Sequence, residues 1–430
     1  MSSETPAGKR TTTPSDAVSA DDVTTADSAT AAGAAQAGTA QATANRDDRS
    51  GGAEGSGGAD RTNGSDSTNG SDSPDTLESS HHSDAAGAAD ASATPVAARI
   101  VAKLASGWNW LEEMLTGRYH ATYGLAVTRI LIGVTGLGLI LTNFAARNYA
   151  FGVGSAWNGE IAEPQSDFPN IWLFSLFHRA VTNPPLFTAM IIGLAVLAVT
   201  IILGWRTRII LPFYLVAWVS FIELNDSAGD QGDNAYRIFL IALLFADTTR
   251  RWSLDSRRHR KRFGTLPAAA DGPWILIMAN NLAIVVLAFQ VCAIYMSGGL
   301  YKAGGQAWQH GYAVYNPLQT LQFGTWPVLS DLVTAWGPGV VVISWGSILF
   351  QCAFPFMLFN RYTRVVALLG ILSFHLGIAL LMGLPWFSLT MIAVDAIFIK
   401  DSSYEKLSAL LRRWWSASGI GSRSGARQTG

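Results

Sequence analysis

Eight apolar runs in series constrain this chain more than any other feature. They fall at about 122–142, 186–203, 209–224, 235–247, 274–297, 338–359, 365–383 and 385–399. A bilayer core needs roughly 17–25 helical residues, and several runs reach that length with almost no charge. The expected fold is all-α: a polytopic membrane helix bundle of about eight spans. The fourth and eighth runs are short. Each borrows polar flanking residues, lines a cavity or is a half-span.

The charge pattern fits eight crossings. With the N-terminus in the cytoplasm, the inside connections carry Arg206 and Arg208, then seven cations between Arg250 and Arg262, then Arg361 and Arg364, then Lys406, Arg412 and Arg413. The outside connections carry Glu160, Glu163 and Asp167, then Asp226, Asp230 and Asp233, then Lys302 with Asp331. This is the positive-inside bias, and deleting any one span breaks it. A plasma-membrane protein with both termini cytoplasmic is expected. The basic loop 250–262 is read as topology and contact with anionic lipid, not as a nucleic-acid patch.

Residues 1–97 are rich in Ala, Ser, Thr, Gly and Asp, with near-repeats such as that at Thr62 to Ser73. They bury too little apolar surface to offset ordering entropy, so a disordered tail is expected. The tail lacks the apolar region of a cleavable signal peptide. Residues 98–121 are an amphipathic lead-in, 122–400 the membrane domain and 401–430 a basic tail. The bias to Ala, Gly, Asp and Arg fits a prokaryote of high GC content. Cys292 and Cys352 lie inside apolar runs and read as small buried hydrophobes.

The stretch Tyr295 to Tyr315 is where a site is expected. It is Gly-rich and aromatic and holds Lys302 and His310. A lysine beside hydrocarbon needs a partner, water or a task. Gly298, Gly299, Gly304 and Gly305 around it suggest a non-helical backbone. Lys302 then serves as a general base or as an electrostatic clamp on an anion; the alternative is a lysine snorkelling to the interface. Asn225, Asp233, Arg237, Lys302, His310 and His375 are expected to surround one outward cavity. Asp233 and Arg237, four apart, either pair with each other or orient that site. Arg129 is expected to neutralise an acid of the Asp226–Asp233 group. His375 is a satisfied core histidine or a functional one, His310 is solvated, and Asp395 anchors a helix end. Trp308, Trp326 and Trp336 form an interfacial belt or line an apolar ligand site. Gly133, Gly136 and Gly138 indicate close helix packing. No Walker-type phosphate loop, zinc helix motif or nucleophile elbow is present. A metal site from His310 and His375 with acids has no recognised spacing behind it.

These residues carry a resemblance. From about Tyr119 to Lys400 the chain resembles the horizontally transferred transmembrane (HTTM) domain family. That family includes the membrane part of vitamin K-dependent gamma-carboxylase and bacterial proteins akin to sporulation-delaying protein B. The match rests on Arg129, on Asn225 through Arg237, and on Trp252 to Asp255. It also rests on the element Tyr295, Gly299, Lys302, Trp308 and Gly311, and on Phe374–His375 followed by the turn Gly383 to Phe387. The resemblance implies that Lys302 acts as a base in quinol-linked chemistry and that His375 lies in the active region. Arg129, Asn225, Asp233, Arg237 and Trp308 are then candidate substrate contacts. The gap from Lys302 to Trp308 is one residue longer than in the carboxylase, and no counterpart of its large extracytoplasmic substrate domain is expected here. Two functions stay open: an enzyme acting on a quinol or a peptide from the outer side, and a non-catalytic maturation, export or immunity partner of a secreted peptide. A transporter requires an inverted repeat, and none is visible.

Overall fold

The structure, a computed structural model, describes residues 94–154, 170–225, 229–321 and 323–417. The expected disordered tail up to residue 93, the acids Glu160, Glu163, Asp167 and Asp226, and the last residues of the basic tail lie outside these. The described residues are helical, with no strand among them.

Every expected apolar run is a helix: α1 (Thr122–Asn143), α2 (Pro184–Leu203), α3 (Thr207–Ile222), α4 (Gln231–Leu243), α5 (Trp274–Gly304), α6 (Gly337–Met357), α7 (Arg361–Leu381) and α8 (Pro385–Asp395). Five of them, α1, α2, α5, α6 and α7, are long and apolar enough to cross a membrane. The other three have 16, 13 and 11 residues. Local chemistry sets the ends. Asn183 accepts from Leu186 N and Pro184 starts α2, while Gly204, at φ 66°, ends it; a left-handed glycine frees the chain from the helical path without a Cβ clash. At α4, Asp230 and Asp233 form a capping box, so this helix begins in polar residues upstream of the apolar run. Pro385 starts α8, and a 3-10 turn, Ala396–Phe398, follows it.

The short helices α4 and α8 are the interior ones. Helix α8 packs on α1, α7, α4 and α5, and its Met391, Ala393, Val394 and Asp395 are buried. It runs antiparallel to α1: Thr128 Oγ1 donates to Ala393 O at 2.8 Å, and Trp386 Nε1 donates to Thr142 Oγ1 at 3.1 Å. The three α1 glycines give close approach, as expected. A Cβ on Gly133 would press on Ile202, one on Gly136 on the Tyr214 and Tyr236 hydroxyls, and one on Gly138 on the Trp386 ring. The outer faces stay apolar, with Ile192, Phe213, Phe289, Val342 and Leu369 exposed. A bilayer supplies the apolar surroundings that such faces need.

Four connections meet at one end of the bundle. The lead-in helix Thr94–Thr116 ends against Asn281 of α5, whose Nδ2 donates to the carbonyls of Met114, Leu115 and Arg118. Asp401, which opens the tail helix Asp401–Ala417, accepts from Thr122 N and Tyr123 N. It thereby caps α1 from a remote part of the chain, satisfying orphan donors at the positive end of that helix. Ser253 caps the basic helix Leu254–Phe263 through a capping box with Ser256. That helix is joined to the α2–α3 turn by Asp255 N donating to Gly204 O at 3.2 Å.

Candidate functional site

Helix α5 does not break at its glycines. It continues as one helix of 31 residues to Gly304, through Gly298 and Gly299. The expectation of non-helical backbone around Lys302 is therefore corrected: the chain leaves the helix only at Gly305. Gly299 is there for packing. A Cβ on it would meet Cys352 Sγ at 2.6 Å and Cys352 N at 3.2 Å. This close crossing of α5 and α6 brings Lys302 beside Gln351.

Lys302 Nζ donates to Gln351 Oε1 at 2.7 Å. The Trp308 and Phe374 ring centroids lie 5.2 and 5.3 Å away. Among the described residues no carboxylate stands within ion-pair distance of Lys302. The amine is thus held by a neutral amide and two aromatic faces, and the amide oxygen accepts from it in either protonation state.

Two turns of α5 before Lys302, Tyr295 joins two other helices. Its hydroxyl donates to Asp395 Oδ2 of α8 at 2.9 Å and lies 3.2 Å from His375 Nε2 of α7. Tyr295, His375 and Asp395 are 1, 2 and 6% exposed. With the Tyr295 proton committed to Asp395, the hydroxyl can only accept from His375. A neutral His375 therefore carries its proton on Nε2 and leaves the Nδ1 lone pair free. Nδ1 and Asp395 Oδ1 are both buried with no hydrogen-bond partner, which is rare for atoms withdrawn from water. Phe374 connects the two groups, stacking edge-on against His375 and facing the Lys302 amine.

The remaining candidates go elsewhere. Arg237 donates to Glu223 Oε1 at 2.6 Å and to Asn234 Oδ1 at 2.9 Å. Asp233 Oδ2 accepts from Asp230 N within the capping box. Asn225 Nδ2 donates to Ala150 O at 2.7 Å. This polar group at the start of α4 is separated from His375 by Phe387, whose ring lies 5.8 Å from His375 and against Gly232. His310 is exposed at the C-cap of the short helix Gln306–Gln309 that follows α5. The six residues expected around one cavity thus form two neighbouring groups, with His310 outside both. Arg129, 1% exposed, reaches the opposite end from the Asp233 group. Its Nη2 donates to Trp252 O at 2.7 Å, and Nε and Nη1 are buried without a partner. Arg129 starts two turns into α1 from the end where Asp401 caps it, so its reach is to the WSLD segment.

Gln351 and the site role of Asp395 are absent from the sequence reading. Gln351 has a visible signal, a lone amide in a run otherwise apolar. Asp395 is a carboxylate four residues from the end of its apolar run, and the basic residues just beyond it make a helix anchor the natural reading.

The chain matches the family model of the HTTM domain over residues 120–402. It is 24% identical over 238 residues to the uncharacterized protein YitO of Bacillus subtilis (strain 168), a match that covers 54% of this chain and 72% of that protein. No solved structure matches. The matched region begins just before α1, ends just after α8 and takes in both Lys302 and the Tyr295–His375–Asp395 group, and the chain belongs to the HTTM domain family.

Proposed function

We propose that this HTTM-domain membrane protein is an enzyme whose base is Lys302 and whose substrate is a lipid-soluble quinol, reached from the extracytoplasmic side. One observation carries the reading: an amine hydrogen-bonded only to a neutral amide, two turns of α5 from the tyrosine that meets a buried histidine with a free ring nitrogen. In this reading Lys302 takes the hydroxyl proton of the quinol, and His375 Nδ1 receives or returns a proton. Tyr295 and Asp395 fix the ring of His375 so that Nδ1 faces the reaction. Phe374 and Trp308 offer apolar faces to a quinoid ring. Arg237, Asp233 and Asn225 shape the neighbouring end of α4, and Arg129 acts through the WSLD segment and does not touch substrate. The resemblance of Lys302 to the base of vitamin K-dependent gamma-carboxylase supports the same assignment.

The test is oxygen-dependent consumption of a reduced naphthoquinone by protein reconstituted in nanodiscs. Lys302→Ala and Lys302→Arg should both lower turnover by about 100-fold or more, the range typical of a lost general base. Lys302→Arg keeps the charge, so retained turnover in that variant alone would assign a clamp and not a base. Full turnover in Lys302→Ala overturns the proposal. A wild type that consumes no quinol but retains a secreted peptide favours a maturation, export or immunity partner.

A further inference from the structure

The basic helix Leu254–Phe263 carries five cations in ten residues, Arg257, Arg258, Arg260, Lys261 and Arg262. Arg258 alone has an acidic neighbour, Asp255, at 3.7 Å. Among the described residues Arg257, Arg260 and Lys261 have no acidic partner, and all three are exposed. Leu254, Arg257, Arg258 and Lys261 fall on one helix face, with Arg260 beside it, and the five line an open groove of about 530 Å³ on the surface of that helix. Like charges three and four residues apart repel on a helix surface, so this arrangement is held by its mount. The mount is rigid: the Ser253–Ser256 capping box, Asp255 N on Gly204 O, and Arg129 of α1 on Trp252 O.

The surroundings say what anion belongs there. At the same end of the bundle the lead-in helix exposes Ile100, Leu104, Trp108 and Leu111, spaced along one face, and the tail helix exposes Leu407, Leu410, Leu411 and Trp414. Helices that expose apolar side chains in this way suit the headgroup region, with their apolar sides turned to the acyl chains. Trp205 lies near the basic helix, with the Arg258 and Arg206 guanidinium groups 5.9 and 5.8 Å from its ring centroid. An unneutralised cationic cleft set between membrane-surface helices matches a phosphate carried on a lipid, and polybasic segments gain from each cation near an anionic leaflet.

We propose that the cleft of the basic helix is a binding site for the phosphate of an anionic phospholipid headgroup. The site is independent of the Lys302 chemistry and lies at the other end of the chain's membrane domain. Four of its cations line the one groove, and the proposal predicts a discrete, saturable lipid site and not only general attraction.

Protein purified in uncharged detergent should be titrated with dioctanoyl phosphatidylglycerol, with dioctanoyl phosphatidylcholine and with inorganic phosphate, and bound ligand counted by native mass spectrometry. The wild type should retain phosphatidylglycerol in preference to phosphatidylcholine, with affinity falling as salt rises. Arg257→Gln with Lys261→Gln should weaken phosphatidylglycerol binding about tenfold or more, given what two cations contribute near an anionic surface. Lys406→Gln with Arg412→Gln, an equal charge loss on the tail helix, should change it by less than about twofold if the effect belongs to the cleft. All four positions are exposed, so the fold should survive in both variants. Equal loss in the two variants, equal retention of the two lipids, or inorganic phosphate displacing the lipid at matched concentration would each overturn the proposal.

Discussion

Gly299 decides whether Lys302 can meet Gln351. With no Cβ there, α5 and α6 approach until Cys352 Sγ and Cys352 N close on the vacant position. Gly299→Val should push the helices apart and destabilise the protein by about 1–3 kcal/mol, the usual range for overpacking. Gly299→Ala should cost less and should be partly rescued by Cys352→Ala, which removes the nearer of the two clashing atoms. Thermal unfolding of the two single variants and the double variant reads that coupling. Additive losses would mean that the glycine serves some other contact. This residue also shows where single positions are hard to read. A glycine beside a lysine signals a broken helix as readily as a close crossing, and only the partner helix distinguishes them. Lys302 and His375 stand out in the sequence because charge and imidazole are costly in an apolar run. Tyr295 is visible through the family element. Gln351 and Asp395 become site residues only when α6 and α8 fold against α5. Arg129 is legible as a buried cation, but its partner is a backbone carbonyl, and carbonyls leave no trace in side-chain chemistry.

The elements were more legible than their ends. Hydropathy places all eight helices, because a run of apolar side chains can only be a helix where backbone groups have no water. Boundaries shift for local reasons: α4 starts earlier because Asp230 and Asp233 cap it, α5 runs on to Gly304, and α8 ends at Asp395, where a 3-10 turn follows. The short interior helices α4 and α8 are not failures of the count. Interior helices meet protein at their ends, so the bilayer thickness does not set their length. How the lead-in helix is attached was not legible at all. Its anchor is Asn281, whose amide serves three carbonyls while Oδ1 accepts from His120 N at 3.1 Å and from Asn280 Nδ2 at 3.0 Å. Asn281→Leu keeps the volume and removes every one of these bonds. It should destabilise this end by about 1–3 kcal/mol for each buried group left unpaired. Hydrogen exchange should rise across residues 110–121 while α7 and α8 stay protected. Unchanged exchange in that segment would show that packing alone holds the lead-in helix.

At the scale of the whole molecule, side-chain bonds gather the cations. Asp401 on α1, Arg129 on Trp252, Asp255 on Gly204 and Asn281 on the lead-in helix draw four connections to one face. The seven cations from Arg250 to Arg262 lie on that face, together with Arg206 and Arg208. Charge segregation read from the sequence and hydrogen bonds read from the fold are independent observations, and they sort the same loops together. On the orientation proposed from the positive-inside rule, the basic face is cytoplasmic and the end of α5 faces outward. Single cysteines test this in a background with Cys292→Ala and Cys352→Ala. Thr265→Cys follows the basic helix and Gln309→Cys follows α5, and both positions are exposed. In intact cells a membrane-impermeant maleimide should label Gln309→Cys at once and Thr265→Cys only after permeabilisation. The reverse pattern would turn the molecule over, and it would place Lys302 and the proposed quinol site on the cytoplasmic side. Labelling of both in intact cells would mean that α5 does not cross the bilayer. That outcome would conflict with a helix of 31 residues, which extends about 46 Å against a hydrocarbon core of about 30 Å. The surplus is accounted for at the basic end, where the first two turns of α5 run alongside the lead-in helix before Asn281 reaches the level of His120. From there to Lys302 the helix has the length of one crossing.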